Sequence, residues 1–346
     1  MTGAIASWRQ RSARRAAALG AALAALVVLM LLDLATGPSG MPVGQVVHAL
    51  WAGPEGADRA AATIMFQIRL PQTMMAAIVG ACLGLAGLLM QTMLANPLAS
   101  PYTLGFSAAA GFGASLAILG AGGAVLGLPL WLLTPAAAFL ATLAATALVW
   151  TMAHLKGNRP EIMVLAGIAV LFLFQSLQSL VQFLASPEVL QQIVFWLFGS
   201  FLKANWTSVS VSGAILLACL PWIARDVWAL TALRMGEANA ETLGLNMTAL
   251  RRRTFLLTAA LTAAAVAFTG TIGCVGLIAP HVARALVGED HRFALPGAAL
   301  AGALILMSAS VLGKLISPGA VIPVGIITAL AGVPMLLAVI WRHEEA

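Results

Sequence analysis

Charge is scarce in this chain. Asp, Glu, Lys and Arg make up 9% of the 346 residues, while hydrophobic residues make up 61%. A soluble domain carries about 25% charged residues, so an ordinary water-facing surface is excluded. Between Leu70 and Leu155 there is no Asp, Glu, Lys or Arg at all. One apolar helix needs roughly 20 residues to cross the hydrocarbon core, so this stretch has room for several crossings and their turns. Ile162–Pro187, Ala204–Ala224, Thr254–Ala283, Phe293–Gly313 and Leu315–Trp341 are equally free of charge.

Other absences narrow the function. Ion- and proton-coupled carriers keep ionisable side chains inside the bilayer, where each is energetically expensive; here the apolar runs are nearly empty of them. Asp33 ends the first run and Glu161 begins another, and His154, His281 and His291 fall at expected helix ends, as capping or interfacial groups. No His/Asp/Glu cluster at depth suggests an embedded hydrolase, so no catalytic residue is expected. Cys82, Cys219 and Cys274 lie in apolar runs without metal-ligand spacing and read as packing residues, so no metal site and no cofactor are expected in this chain. The phosphate-cradling pattern G-x-x-x-x-G-K-[ST] is missing, because Gly313-Lys314 is followed by Leu315 and lacks the earlier glycine. Energy for active transport would therefore enter through a separate ATPase subunit. The net charge of +6 is spread over short loops with no aromatic platform between them, which argues against nucleic acid.

What is present is a membrane topology. Arg9, Arg11, Arg14 and Arg15 precede an apolar run from Ala16 to Leu32. That order also marks secretory signals, but the run is long for one and no small-x-small site follows Leu34, so an uncleaved first span is expected. Further spans are expected near 63–94, 102–121, 129–153, 161–184, 206–224, 254–271, 276–287, 293–315 and 322–341, ten in all, with the helix at 276–287 short. Glu188 to Phe201 reads as an amphipathic helix at the membrane surface. Ten spans put the basic N-terminus (1–15), Lys156, Arg159, Arg225, Arg234, Arg251–Arg253, Arg284, Arg292 and Arg342 on one side. That is 14 of the 18 basic residues; Arg59, Arg69, Lys203 and Lys314 fall on the other side. The positive-inside rule makes the rich side, with both termini, cytoplasmic. Gly80, Gly84 and Gly87 have the small-residue spacing that lets membrane helices approach closely.

Residues 225–253 form the one extended polar segment. Gly236-Glu237-Ala238, Leu243-Gly244 and Leu250-Arg251 suggest two short helices joined by a turn at Gly244, a knob able to fit a partner's groove; an ordinary solvated loop is the plainer alternative.

Four segments then carry a resemblance: Arg69-Leu70-Pro71 through Gly80-Ala81 to Asn96-Pro97-Leu98-Ala99 and Leu104-Gly105; Trp196-Leu197-Phe198-Gly199-Ser200; Leu243-Gly244 with Leu250-Arg251; and Gly270-Thr271-Ile272-Gly273-Cys274-Val275-Gly276-Leu277-Ile278-Ala279-Pro280-His281 with Arg284, Asp290-His291-Arg292 and Pro323-Val324-Gly325 to Leu330. In order and spacing, from about residue 60 to 341, they resemble the FecCD-type permeases of bacterial ABC importers for iron-siderophores, haem or cobalamin. The resemblance implies an all-α integral membrane fold with ten transmembrane helices (type II ABC importer permease), a single membrane domain in the cytoplasmic membrane, and a homodimer. Implied partners are two ATPase subunits, a periplasmic or lipid-anchored binding protein, and membrane lipid. It implies a cytoplasmic gate at Asn96 and Leu98, ATPase coupling through Gly236, Glu237, Leu243, Gly244, Leu250 and Arg251, and binding-protein docking by Arg69 and Lys314 on the outer face. An iron-siderophore is the expected cargo, with haem or cobalamin as alternatives and an ATP-independent carrier as the rival class. Gln72, Val321 and Ser310 depart from the usual arginine, glutamate and aspartate, and Pro160-Glu161 from the small hydroxyl residues of a second gate.

Overall fold

The structure, a computed structural model, describes residues 2–37, 42–56, 59–120, 129–316 and 321–344. Among these residues all regular structure is helical: α1 (Thr2–Ala35), α2 (Val43–Gly56), α3 (Arg59–Thr63), a π-helical turn (Ile64–Arg69), α4 (Leu70–Met93), α5 (Phe106–Gly120), α6 (Leu130–Leu155), α7 (Pro160–Leu184), α8 (Pro187–Leu197), α9 (Trp206–Leu233), α10 (Glu237–Thr242), α11 (Met247–Thr269), α12 (Val275–Val287), α13 (His291–Ile316) and α14 (Val324–Glu344).

The bundle is organised around α4, whose residues from Cys82 to Met93 are all buried. Lipid tails are as apolar as leucine, so helix association in the bilayer relies on close backbone approach rather than on hydrophobic burial. The Gly80–Gly84–Gly87 stripe provides that approach. A Cβ at Gly80 would lie 2.4 Å from the Gly302 carbonyl oxygen, one at Gly84 2.0 Å from that of Ala298, and one at Gly87 1.7 Å from that of Gly276. Any side chain there drives α13 or α12 away. The contacts run in opposite directions along α4 and α13, so the two helices are antiparallel and their ends define the two faces of the bundle.

Six helices are long and apolar enough to cross a bilayer: Ser7–Ala35, Arg59–Met93, Leu130–Leu155, Pro160–Leu184, Trp206–Leu233 and His291–Ile316. Helices also occupy the other four expected positions. Phe106–Gly120, Val275–Val287 and Val324–Pro334 are short apolar helices, and α11 carries Arg251, Arg252 and Arg253 near its start. At 1.5 Å per residue, α5 and α12 are only about 20 Å long, short of a core of about 30 Å. A turn precedes α5 and the non-helical residues 270–274 precede α12.

Two features refine the sequence reading. First, α9 continues to Leu233, so the 225–253 segment is helical at both ends and its exposed part is short. Second, the π-helical turn Ile64–Arg69 precedes Pro71, and the Leu70 N–H reaches back to Met65 O. Proline has no N–H for the α-helical bond to residue 67. The chain absorbs the defect by widening one turn, which leaves Met65 and Arg69 both buried.

Candidate coupling and transport sites

One end of the bundle is laced by ion pairs. Arg253 holds Asp226 at 2.9 Å, Arg234 holds Glu289 at 2.8 Å, and Arg292 holds Asp290 at 2.6 Å. The Arg292 guanidinium keeps the Asp290 carboxyl below the usual carboxylate range. At the head of α13, His291 is buried, with Nε2 2.9 Å from the Thr92 hydroxyl on α4, which agrees with the helix-end role expected of it.

The expected coupling residues come together here. Gly236, at φ +102°, turns the chain out of α9, and α10 follows. Ala240, Met247 and Leu250 are buried against Leu233 and Ala229, which fixes the knob on the α9–α11 junction. Leu243 is 64% exposed, and Gly244, at φ +80° with no atom near its missing Cβ, forms the bare tip beside it. Only one separate short helix exists, because the second expected helix is the first turn of α11. Arg251 is 4% exposed, so it offers no surface to a partner. It donates to Glu237 Oε2 at 2.5 Å and to the Asn158 carbonyl at 2.8 Å. A single guanidinium thus ties α10 to the α6–α7 turn.

Asn96 and Leu98 lie in the turn after α4. Asn96 Oδ1 accepts the Leu98 N–H at 2.9 Å and the Asn96 carbonyl accepts from Ala99, so the amide shapes the turn and leaves Leu98 52% exposed. Pro160 and Glu161 occupy the first turn of α7. A proline without its N–H and an acid near the positive helix end both favour that position, so they read as a helix start.

The opposite end carries a buried charge cluster. Asp33 on α1 is fully buried. Its carboxylate takes Lys314 Nζ at 2.8 Å, the Ser310 hydroxyl at 2.7 Å and the Thr73 hydroxyl at 2.5 Å, and the Asp33 carbonyl accepts a second Lys314 bond at 3.1 Å. Arg69 is 4% exposed and donates to the Leu34 carbonyl at 2.5 Å. Arg69 and Lys314, expected as docking groups for a binding protein, are thus both buried in this chain. Both turn inward, because a buried carboxylate and the frayed carbonyls ending α1 offer partners that compensate their loss of water. Ser310 donates to this carboxylate, and α1 supplies the acid of the cluster. Sequence reasoning noted Asp33 only as a helix end, although a lone acid within an apolar run marks such a site. The exposed cations at this end are Arg59 and Lys203.

Between the two ends the chain is broken. Ser212, in the second turn of α9, donates to Ala264 O at 2.7 Å, so α11 ends near the level at which α9 begins. Gly276, by contrast, packs on Gly87 near the other end of α4. Residues 270–274, outside any helix, cover this distance. Thr269 O accepts the Ser200 N–H, Thr271 Oγ1 donates to Leu197 O, and Gly325 N–H donates to Gly199 O. The C-terminal end of α8 and the residues after it therefore bond across the break. Cys274 stands at φ +66°, in the left-handed region, and Gly273 faces open space. A cavity of about 430 Å³ lies beside the break, lined in part by Gln191, Phe195, Trp196, Lys203 and Thr269. Among the described residues no group of His, Cys, Asp and Glu could hold a metal ion.

Residues 25–342 match the FecCD transport family. The chain belongs to the FecCD transport family. It is 34% identical to the hemin transport system permease protein HmuU of Yersinia pestis over 289 residues, covering 82% of this chain and 84% of the relative. It is also 34% identical to the molybdate import system permease protein MolB of Haemophilus influenzae over 324 residues, 92% and 94% of the two chains. Among solved structures it aligns with an ABC transporter described as being of metal-chelate type, in an inward-facing conformation. The TM-score is 0.82 at 31% identity, over 94% of this chain and 98% of the other. This FecCD permease is thus a multi-pass, all-helical membrane subunit of an ABC importer, with the type II fold.

Proposed function

We propose that this permease works as a homodimer above two ATPase subunits and below a substrate-binding protein, and that it imports a bulky iron chelate of the siderophore class across the bacterial cytoplasmic membrane. The observation that carries the reading is the knob: an exposed Leu243–Gly244 tip on a packed base, with Arg251 linking it to the α6–α7 turn. A rigid strut between a partner's groove and the transmembrane helices transmits movement without chemistry of its own. The ion-paired end is the cytoplasmic one on the positive-inside rule, which places both termini there. On that face Asn96 and Leu98 form the gate, with Leu98 as the exposed narrowing group.

The non-helical 270–274 segment supports a wall of the pathway. Unpaired backbone at membrane depth is tolerated where it is buried in protein or lines a watery cavity, and Gly273 opens onto space. The surrounding wall is almost uncharged, which suits passage without tight retention. For docking, the exposed Lys203 and Arg59 replace Arg69 and Lys314 as contacts with acidic groups of the binding protein. Arg69 and Lys314 hold the helix ends beneath them.

Haem is the second reading of the cargo, favoured by the 34% identity to HmuU. The decisive measurement is uptake by vesicles containing the permease, its ATPase and its binding protein. ATP-dependent uptake of a ferric siderophore, abolished with an ATPase-dead partner, is expected. Uptake that persists without hydrolysis overturns the importer reading, and uptake of haem or molybdate alone overturns the siderophore assignment.

A further inference from the structure

A second cavity, of about 630 Å³, lies between α1, α9 and α13 at the end of the bundle that carries the ion-pair network. Leu19, Leu23, Leu220, Ile223, Leu295 and Leu300 are among its walls, and it is apolar except at one end, where His291 and Arg292 stand. His291 is occupied by Thr92 and Thr231, so Arg292 is the polar group at the mouth. From Arg292 to Leu300 the groove runs along about 12 Å of helix, parallel to the direction in which lipid chains lie.

The mouth is built from cations and aromatic rings. The Arg292 guanidinium lies 4.8 Å from the Trp228 ring centroid, 5.8 Å from Phe293 and 6.0 Å from Trp8. Trp8 and Trp228 are 52% and 66% exposed, respectively. Tryptophan gathers at the headgroup level of a membrane, so the pair marks that level on this side. Arg15, over Phe293 at 5.7 Å, lies between α1 and the mouth, and Arg11 is one helical turn from it on α1. Asp290 accepts Arg292 at 2.6 Å and lies 3.9 Å from Arg15. Asp226, on α9, is taken by Arg253. Arg15 and Arg292 therefore share the one carboxylate of Asp290, while Glu289 is taken by Arg234 and Arg284, and the mouth keeps a positive excess.

We propose that this groove is a binding site for an anionic phospholipid, with one acyl chain between α1, α9 and α13 and the phosphate at Arg292 and the α1 arginines. Basic recesses between membrane helices favour acidic headgroups, and the apolar depth here matches a chain rather than a soluble anion. A bound lipid would fix the otherwise lightly packed α1 against α13.

Native mass spectrometry of the full-length permease in detergent, titrated with phosphatidylglycerol or phosphatidylcholine, tests this. Phosphatidylglycerol is expected to be retained more strongly, by about fivefold for each arginine engaged. Arg292→Gln should reduce that preference and leave phosphatidylcholine retention unchanged, whereas Arg292→Lys should keep most of it. Gly20→Leu, at a groove position with no atom near its missing Cβ, should displace both lipids. Equal retention of the two lipids by the parent protein overturns the proposal. So does undiminished phosphatidylglycerol binding in the Gly20→Leu protein, or inorganic phosphate competing the lipid away. Cross-links between two copies through cysteines placed at Leu23 and Leu220 would assign the groove to a second permease instead. If Arg292→Gln fails to fold, the lipid comparison in the parent and the Gly20→Leu result still decide.

Discussion

Removing the Asp33 carboxylate distinguishes a buried clamp from a surface docking pair. Asp33 is 0% exposed and the Lys314 side chain 6% exposed, at 2.8 Å from each other. In Asp33→Ala the ammonium loses its buried counter-charge, and the Ser310 and Thr73 hydroxyls lose their acceptor. Deleting one partner of such a pair destabilises by about 3–5 kcal/mol, because the other charge remains buried and uncompensated. An exposed pair would contribute only about 0–1 kcal/mol. The larger figure corresponds to a melting-temperature loss on the order of 5–10 °C for a chain of this size. Thermal unfolding of the detergent-purified permease, followed by tryptophan fluorescence, reads this directly. The control is Asp33→Leu with Lys314→Met, which removes both charges and keeps the volume. Replacing a whole buried pair by apolar groups is often neutral or stabilising, so the double variant should recover most of the loss. A single variant that melts within a degree of the parent would refute the clamp, as would a double variant no better than the single one. Either result would return Arg69 and Lys314 to the outer surface as docking groups.

Gly84→Leu should split α4 from α13, since even a Cβ would stand 2.0 Å from Ala298 O; loss of folded protein in size-exclusion chromatography checks this, and normal yield counts against the packing stripe. Leu243→Glu should leave folding unchanged, because that side chain is exposed, while ATPase stimulation in the reconstituted complex falls; full stimulation would remove the tip from the partner interface. Arg251→Gln should lower thermal stability by about 2–3 kcal/mol, within the range for hydrogen bonds involving charged groups, and also uncouple hydrolysis from uptake. Stability lost with coupling intact would make Arg251 a purely structural tie.

Helix positions were legible in the sequence because they depend on length and hydropathy alone. Charge-free runs from Leu70 onward match α4 to α6, and the Gly80–Gly84–Gly87 spacing anticipated the closest packing in the molecule. The polar segment expected over 225–253 is shorter as an exposed turn, since α9 stays helical through Arg225 and Asp226, whose charges are met by solvent and by Arg253. Side-chain direction was far less legible. Nothing in the spacing of Arg69 and Lys314 discloses that Asp33, 281 residues from Lys314, stands between them. The widened turn before Pro71 helps bury Arg69, and that depends on backbone hydrogen bonding rather than on periodicity.

The two ends of the bundle treat charge in opposite ways, and the difference bears on the transport cycle. At the Asp33 end one carboxylate joins α1 to α13 and α4 in a cluster closed to water. At the opposite end the ion pairs are partly open, with Arg234 and Glu289 39% and 52% exposed. Exposed pairs are weak and exchange readily with water, whereas the buried cluster separates only at high energy. On the proposed importer reading, helix movement driven from the knob end would therefore pivot about the Asp33 cluster while the ion pairs at the knob end re-form. The knob, the α6–α7 turn and the Leu98 turn all lie at the end that is free to move, so Asp33→Ala should loosen the fixed end of the lever. A reconstituted Asp33→Ala permease should then hydrolyse ATP normally through its partner but import less cargo per ATP. A proportional fall in both would mean that the cluster supports folding alone.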